Sequence, residues 1–413
     1  MNSTDPTTRK PEKQSHLYLI FGVTLTSVMG VSSIAPAFPS IADAMEVSTG
    51  QIGLLITFFT LPGILLTPVF GVLADRYNRK VILVPSLFVF GLAGTACAFT
   101  TSFEQLLLYR AVQGGGSAAL GVLNLTLIGD FYSGNRRAAV MGYNGSVLSI
   151  GTAIYPALGG ALAVIGWYAP FYLSLLAIPV GMFAIYSLEP FGNGNSLSLG
   201  IYLREIKSAL MSRTVIGLLI CMFLTFIILY GGYITFFTIL LDERFGKSAL
   251  SIGLILSGSS FVTALTSARL GILIQRFSSK HLITTAAILY TAIFLIIPTI
   301  ETIWFFVLPI TLFGVAQGIN IPSILTLLTG SAPSEYRAAF LSVNWIVMRI
   351  GQSLGPYLLG LVYLSSGINT TFYVSALAGF LFVIVCFTML RPGQAENSPD
   401  SSPDATGSEP PVF

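Results

Sequence analysis

Polar side chains interrupt one of the apolar stretches in the first half of the chain at regular intervals. They are Arg110, Gln113, Ser117 and Asn124, spaced i, i+3, i+7 and i+14. Residues at these intervals project from one face of an α-helix. A guanidinium carries a fixed charge and several donors, so this face can bind an anion, hold backbone carbonyls or neighbour a proton carrier. For Arg110 the pattern leaves a structural network and proton coupling equally open.

A second polar face occurs late in the chain, where Trp345, Arg349 and Gln352 are spaced i, i+4 and i+7. Arg349 lies near the middle of its apolar stretch. A charged side chain at the centre of a bilayer costs about 2.5–3.5 kcal/mol, so an arginine there is expected to have a function. We predict that Arg349 lines a cavity; the alternatives are capping of backbone carbonyls and a broken helix. Gly351 and Gly355 project from another side of the same helix, which separates a packing face from the polar face.

Amide and aromatic side chains extend this candidate site. Amides that line a cavity bind a substrate, whereas amides between helices bridge them by hydrogen bonds, and the sequence leaves both open. Tyr230, Tyr233, Phe236 and Phe237 form an aromatic cluster that either lines an apolar ligand site or packs against lipid. Together with Arg349, the predicted substrate site comprises Asn124, Asn144, Asn320, Asn344, Gln352, Gln113, Gln317 and Tyr233.

Carboxylates are absent from the middle of every apolar stretch, because all 17 Asp and Glu lie in tails, loops or the ends of stretches. Two arginines without a carboxylate favour an anionic or neutral ligand by Coulomb's law. His16 and His281 lie near the ends of their stretches, and we expect neither to be buried.

The elements that position these groups are membrane-spanning helices. Of the 413 residues, 54% are hydrophobic and 9% are charged, with a mean hydropathy of +0.82, whereas soluble proteins carry about 25% charged residues. A span needs about 20 apolar residues, which gives an all-α membrane protein with twelve transmembrane helices. The apolar stretches lie near residues 17–38, 50–74, 81–100, 104–129, 138–165, 168–189, 214–240, 251–275, 280–300, 303–330, 338–364 and 370–390.

Nothing in the composition indicates a cofactor. Cys97, Cys221 and Cys386 are scattered through apolar stretches and show neither metal-ligand nor disulfide spacing. No nucleophile–base pair is recognisable, which argues against an enzyme. The net charge of +3 gives no reason to expect a nucleic acid as partner.

Basic residues fall mostly on one side of the predicted spans. If both termini share a side, that side carries 15 of the 20 Lys and Arg, and the other carries only Arg244 and Lys247. By the positive-inside rule both termini are cytoplasmic, in a cell (inner or plasma) membrane. The predicted domains are a tail 1–16, a six-helix bundle 17–189, a cytoplasmic linker 190–213, a second six-helix bundle 214–390 and a disordered tail 391–413.

The two bundles are related by an internal repeat, because residues 200 positions apart match in type. Parallel repeats with a site between them near the middle of the membrane are typical of transporters that alternate access between the two sides. The halves differ at Asp75 and Gln275, and at Ser149 and Arg349. The matching pairs are Gly71/Gly271, Arg76/Arg276, Arg137/Arg337, Asn144/Asn344, Gly151/Gly351, Pro156/Pro356 and Gly160/Gly360.

Three motifs resemble those of the major facilitator superfamily. The stretch from Gly71 to Lys80, which contains Asp75, Arg76 and Arg79, is similar to the signature loop of that family. It has Asn78 where the family usually has Gly; the departure is mild, because Asn is the next residue best able to adopt a left-handed conformation.

The other two motifs resemble those of the twelve-span drug–proton antiporters within that superfamily. The first is Arg110-Ala-Val-Gln113-Gly114. The second is typical of exporting branches and contains Gly151, Pro156, Gly159 and Gly160, with Tyr155 in place of a Gly. Such glycines allow close approach of neighbouring helices, and the proline can kink the span. Gly71, Gly151, Pro156, Gly159 and Gly160 are therefore the predicted structural motif residues.

The resemblance implies roles for the charged motif residues. Asp75 can pair with Arg79, or accept from a helix N-terminus, and so latch the two halves on the cytoplasmic side. As proton carriers, Asp75 and Asp130 rank before Asp43 and Glu46, since each adjoins an arginine-rich loop. The residues predicted for proton coupling or gating are Asp75, Arg76, Arg79, Arg110 and Asp130.

These patterns favour a monomeric secondary transporter in the lipid bilayer that works by alternating access, and the resemblance implies that it exports a small amphipathic molecule as a proton antiporter. Exporters of cationic drugs resemble one another in a buried carboxylate that this chain lacks, so we expect an anionic or neutral metabolite, siderophore or drug. The alternatives are an importer or facilitator of an organic anion, including uniport without protons. A membrane sensor would need a sizeable soluble output domain, and no loop or tail is long enough to form one.

Overall fold

The computed structural model describes residues 14–188, 212–331 and 337–390, without the side chains of residues 72, 74–76, 138 and 337–342. Within these ranges the chain is almost entirely helical and contains no strand. The long helices are α1 (Gln14–Ser32), α2 (Leu54–Arg76), α3 (Arg79–Ala96), α4 (Phe103–Phe131), α5 (Gly134–Ala163), α6 (Ala169–Leu176 continued by Ala177–Ser187), α7 (Arg213–Phe226 continued by Ile227–Phe237 and Thr238–Glu243), α8 (Ala249–Ala268), α9 (Ser279–Ile296), α10 (Val307–Gly330) and a last run (Arg337–Met389).

The last run consists of two helices. Its backbone breaks at Gly367, whose φ of 78° is a left-handed value that favours glycine. We call residues 337–366 α11 and residues 368–389 α12. In the described part of the chain, eleven helical runs are long and apolar enough to cross a membrane. Division of the last run gives twelve, which agrees with the prediction.

The predicted domain limits can be compared with the helices only in part. α1 begins at Gln14, slightly before the predicted start of the first bundle, and α6 ends at Ser187. α7 begins at Arg213. Most of the predicted tails and of the linker 190–213 lies outside the described residues.

Two side-chain caps start the equivalent helices α3 and α9. The Asn78 side chain accepts a hydrogen bond from the Lys80 amide at 3.0 Å, and the Ser278 hydroxyl accepts from the His281 amide at 3.4 Å. Asn78 has φ −59°, so its backbone is not left-handed. Asn is used here as an N-cap, because its side chain satisfies an amide that the helix leaves unpaired.

The 200-residue repeat reappears as matched contacts between the two six-helix halves. On one side of the interface, a Cβ built on Gly53, the residue just before α2, would lie 2.9 Å from Cβ of Pro356 on α11. On the other side, a Cβ on Gly253 of α8 would lie 2.2 Å from the carbonyl oxygen of Pro156 on α5. This pair of equivalent contacts agrees with the prediction of two pseudo-symmetric six-helix bundles.

These contacts close the interface at one end of the bundle. We call the end where α2 passes to α3 and α4 to α5 the basic face, and the other end the opposite face. Toward the opposite face the halves touch along α2–α11 and α5–α8. Nearer the basic face, Gly142 and Gly145 on α5 and Gly258 on α8 have no described atom within 4 Å of a built Cβ. Among the described residues, the close contacts that seal the interface therefore lie toward the opposite face, and these three glycines nearer the basic face make none.

The glycine–proline motif of α5 forms part of this seal. A Cβ on Gly160 would lie 2.4 Å from the Ala249 carbonyl oxygen of the other half, and one on Gly159 would lie 1.7 Å from the Ser33 carbonyl oxygen in its own half. Gly151 has looser surroundings, with its nearest contact at 3.2 Å from Leu25. Pro156 lies within α5. The close approach of the neighbouring backbones therefore requires glycine at both positions, Gly159 and Gly160.

Candidate functional site

Arg349 lies on α11 at the depth where the sealed interface ends. One turn toward the opposite face, the Thr57 hydroxyl of α2 donates to the Ser353 carbonyl at 2.8 Å and joins the halves. A Cβ on Gly63 of α2 would lie 2.5 Å from Nη1 of Arg349, so the guanidinium packs against the backbone of the first half. Arg349 therefore stands at the inner limit of the seal, between both halves.

The hydrogen-bonding capacity of Arg349 is unused among the described residues. Its Nε is buried without a hydrogen-bond partner, and no described carboxylate forms an ion pair with it. The side chain as a whole is partly exposed. A guanidinium in mid-membrane without partners is costly, and its donors are chemically suited to an oxyanion.

Aromatic side chains of α7 face this guanidinium. Tyr230 interacts electrostatically with Arg349 and stacks on Phe226 with ring centroids 5.7 Å apart. Tyr230 is partly exposed, and so is Gln352 on α11. Tyr230 lies in a π-helical segment, Ile227–Phe237, and π segments are frequent at functional sites. The site therefore pairs a positive charge with an aromatic wall.

The opposite side of α11 is a packing face, as its helical spacing predicts. A Cβ on Gly351 would lie 2.8 Å from the Phe223 carbonyl oxygen, and one on Gly355 would lie 3.0 Å from Cα of Ile227. α7 thus approaches α11 closely behind the polar face. This packing fixes the direction in which Arg349 projects.

Arg110 belongs to a buried network inside the first half. Its Nε donates to the Leu55 carbonyl at 3.2 Å and its Nη1 donates to Gln113 Oε1 at 2.6 Å, while Gln113 Nε2 donates to Ser174 at 3.0 Å. The guanidinium carbon lies 4.2 Å from the centre of the Phe59 ring. Arg110 and Gln113 are fully buried. This arrangement favours the structural alternative for both residues, because it ties α2, α4 and α6 together.

Three predicted asparagines form contacts between helices. The Asn124 amide donates to the Thr24 hydroxyl of α1, and that hydroxyl can donate in turn to Asn144 Oδ1 on α5. In the second half, the Asn320 amide donates to the Thr225 hydroxyl of α7 at 2.8 Å. The sequence analysis does not predict Thr24 and Thr225 as partners of these asparagines. The signal that could have found them is that two threonines occur at nearly equivalent positions of the repeat.

A substitution of Thr24 distinguishes bridging from substrate binding. Thr24→Val keeps the shape and leaves the buried Asn124 amide without its partner, which costs about 1–3 kcal/mol. We expect a lower thermal midpoint in detergent and an unchanged KM for transport. Thr26→Val is the control, because the Thr26 hydroxyl bonds only the Gly22 carbonyl of its own helix. A raised KM with an unchanged thermal midpoint would instead assign Asn124 and Asn144 to the substrate.

The remaining predicted substrate residues are buried in the second half. Gln317 is 4% exposed and neither amide atom has a described partner. Tyr233 is 5% exposed and stacks on Phe313 at 3.9 Å. Asn344 donates to the Met348 sulfur at 3.2 Å. In this conformation these side chains are buried.

The signature loop contains an ion pair between two helices. Arg79 Nε at the start of α3 donates to Asp130 Oδ2 near the end of α4 at 3.0 Å. The side chains of Asp75 and Arg76 lie outside the described set, so the predicted contact of Asp75 stays a prediction. His16 is 3% exposed and stacks on Phe131 at 3.8 Å, so the expectation of an unburied His16 is wrong. The sequence signal that could have indicated the burial of His16 is the run of apolar residues that follows it directly.

Comparison with known proteins places this architecture in a family. The family model described as Major Facilitator Superfamily matches residues 20–248 and 218–410. The bacillibactin exporter of Bacillus subtilis (strain 168) is 24% identical over 406 residues, covering 93% of this chain and 97% of that protein. Multidrug resistance protein 1 of the same organism is 25% identical over 370 residues, covering 88% and 93%.

A solved structure shows the same fold. A bacterial homologue of the human lysosomal transporter Spinster, crystallised in an inward-facing and unoccupied conformation, aligns with a TM-score of 0.73 at 18% identity. The alignment covers 91% of this chain and 96% of the other. The chain is a membrane transporter and not an enzyme, and it belongs to the Major Facilitator Superfamily.

Proposed function

We propose that the protein exports a small amphipathic molecule, anionic or neutral, from the cytoplasm by alternating access. The observation that carries this proposal is the unpaired guanidinium of Arg349 at the inner limit of the seal, beside the Tyr230–Phe226 stack. A guanidinium suits a carboxylate, phosphate or other oxyanion, and an aromatic wall suits an apolar body. The ligand that satisfies both is amphipathic.

Electrostatics decides the sign of the ligand charge. At an effective dielectric constant near 20, two unit charges about 4 Å apart interact by about 4 kcal/mol. No described residue offers a carboxylate that would offset Arg349 for a cation. A cationic ligand would therefore meet uncompensated repulsion, whereas an anion gains a similar amount.

Direction follows from the distribution of basic residues and from the relatives. The basic face is cytoplasmic by the positive-inside rule, with both termini on that side, so the described conformation is open to the cytoplasm. The relatives named above are an exporter and a multidrug resistance protein. Binding of the ligand from the cytoplasm and its release on the other side agree both with the described conformation and with the names of these relatives. We further propose that the protein acts as a monomer in the cell membrane.

We propose that the protein is a proton antiporter and that protons act at the basic face. Asp130 is paired with Arg79 between α3 and α4, and protonation of its carboxylate would remove that ion pair. Asp75 remains the second candidate. Since no carboxylate lies in the middle of a stretch, coupling acts through closure of this face and not through competition at Arg349.

A panel of ligands that differ only in charge tests this function. We expect purified protein in liposomes to move an amphipathic aryl carboxylate and its methyl ester toward the opposite face, and not the matching aryl amine. An imposed pH gradient should accelerate the flux, and a protonophore should remove the acceleration. Equal transport of the amine and the acid would contradict the charge assignment. Flux of the acid down its own gradient, insensitive to pH, would support the facilitator instead.

A further inference from the structure

At the opposite face, three polar side chains from both halves meet. Tyr363, near the end of α11, donates from its hydroxyl to Glu243 Oε1 at the end of α7, at 2.5 Å. Thr49, which precedes α2 in the first half, lies with its hydroxyl 2.7 Å from the Tyr363 oxygen and 3.1 Å from Glu243 Oε1. One carboxylate oxygen of the second half is thus held by a donor from each half.

This contact differs chemically from the rest of the seal. On the α5–α8 side, the Ala157 amide donates to the Ser257 hydroxyl at 3.0 Å, and the Thr57–Ser353 bond on the α2–α11 side is also neutral. Among the described cross-half hydrogen bonds, only the one at Glu243 involves an ionisable carboxylate. Hydrogen bonds to an ionised group are roughly twice as strong as neutral ones.

The charges around Glu243 leave it dependent on these two donors. Asp242 beside it is repelled by both Glu243 and Asp43, which lies on the first half. Arg244 is directed into its own half, where it donates to the Pro298 carbonyl and to Asn369 Oδ1. In the described part of the chain, no cation forms an ion pair with Glu243.

We propose that Thr49, Glu243 and Tyr363 form the outer gate of the transport cycle, held by the ionised carboxylate of Glu243. The inference rests on the alternating access proposed above. Because the group lies at the exposed rim, Glu243 is rehydrated when the halves separate, so the contact can break and reform without burying an unpaired charge. Repulsion between Asp43 of the first half and Asp242 of the second half opposes the sealed state beside this contact, which keeps the gate reversible.

Distance measurements on spin-labelled protein test the gate without any substrate. Labels are attached to Thr101→Cys and Thr302→Cys, two exposed positions at the opposite face of the first and second halves, after replacement of Cys97, Cys221 and Cys386 by alanine. In lipid nanodiscs, we expect Glu243→Gln to shift the ratio of separated to sealed molecules on the order of tenfold, because Gln keeps the shape and loses the charge. Tyr363→Phe should produce a similar shift.

The control is Asn369→Ala, which removes a hydrogen bond of the same face that lies wholly within the second half. It should leave the distance distribution unchanged. Combining Glu243→Gln with Tyr363→Phe should add little to either single change, since both remove one interaction. An unchanged distribution in Glu243→Gln, or an equal shift in Asn369→Ala, would overturn the gate. Failure of the ligand panel would leave this result untouched, since no ligand is used.

Discussion

Replacement of Arg349 by alanine is expected to raise the dissociation constant of an amphipathic carboxylate about 10- to 100-fold. The physical reason is the loss of a charge-assisted hydrogen bond, worth about 1.5–3 kcal/mol, in a site where the guanidinium has no competing described partner. Arg349→Lys should recover part of the affinity, because it keeps the charge and loses the planar fork. Binding is measured by calorimetry or by fluorescence quenching on purified protein.

The ligand supplies the internal control for this experiment. The methyl ester of the same carboxylate should bind wild type and Arg349→Ala with similar affinity, because it carries no charge for Arg349 to meet. Arg269→Ala removes the same charge from an exposed position at the end of α8 and should leave both affinities unchanged. An equal loss for acid and ester in Arg349→Ala would assign the arginine to packing against Gly63 and not to the ligand.

Much of the fold follows from the sequence because its determinants are local. A span is defined by about 20 apolar residues, and the repeat by residue types at a fixed offset, so both the helix number and the two halves could be predicted. The face of α11 that carries Arg349 follows from helical geometry alone, as does its separation from Gly351 and Gly355. These predictions needed no knowledge of which helices pack against one another.

The partners of the site residues could not be predicted, because they come from distant parts of the chain. Gly63 supplies the surface on which Arg349 lies, although nothing in the sequence joins the two positions. Thr24 holds Asn124 and Asn144 through an ordinary residue of an apolar helix. The sequence placed Arg79 beside Asp75 by proximity along the chain, whereas the described contact is with Asp130.

Alternatives that depend on burial also required the structure. Arg110 and Arg349 are the same residue type in similar apolar surroundings, yet Arg110 donates to a carbonyl and to an amide oxygen, with its Nη2 alone left without a partner, whereas Arg349 has no described hydrogen-bond partner. The same holds for the aromatic cluster of α7, in which Tyr230 is partly exposed and Tyr233 is buried. Helical spacing gives a direction of projection, and the neighbouring helix decides what lies there.

Gly253→Ala is expected to disfavour the sealed conformation by about 1–3 kcal/mol, the usual cost of overpacking a tight contact. The added Cβ would lie 2.2 Å from the Pro156 carbonyl oxygen, which is backbone and cannot rotate away. Converted at about 1.4 kcal/mol per tenfold, the ratio of separated to sealed molecules should rise about 5- to 150-fold. The spin-label pair across the opposite face reports this ratio, and the transport rate should fall because return to the cytoplasm-open state is slowed.

The repeat provides graded comparisons for this change. Gly53→Ala acts at the equivalent contact, where the added Cβ would lie 2.9 Å from the Pro356 side chain, so its effect should be smaller. Gly258→Ala lies on the same helix as Gly253 and meets nothing within 4 Å, so it should match wild type. If Gly258→Ala shifted the distances as much as Gly253→Ala, helix propensity and not interhelical contact would be the cause. The order Gly253, Gly53, Gly258 would instead show that the sealed conformation requires close backbone packing at the two prolines.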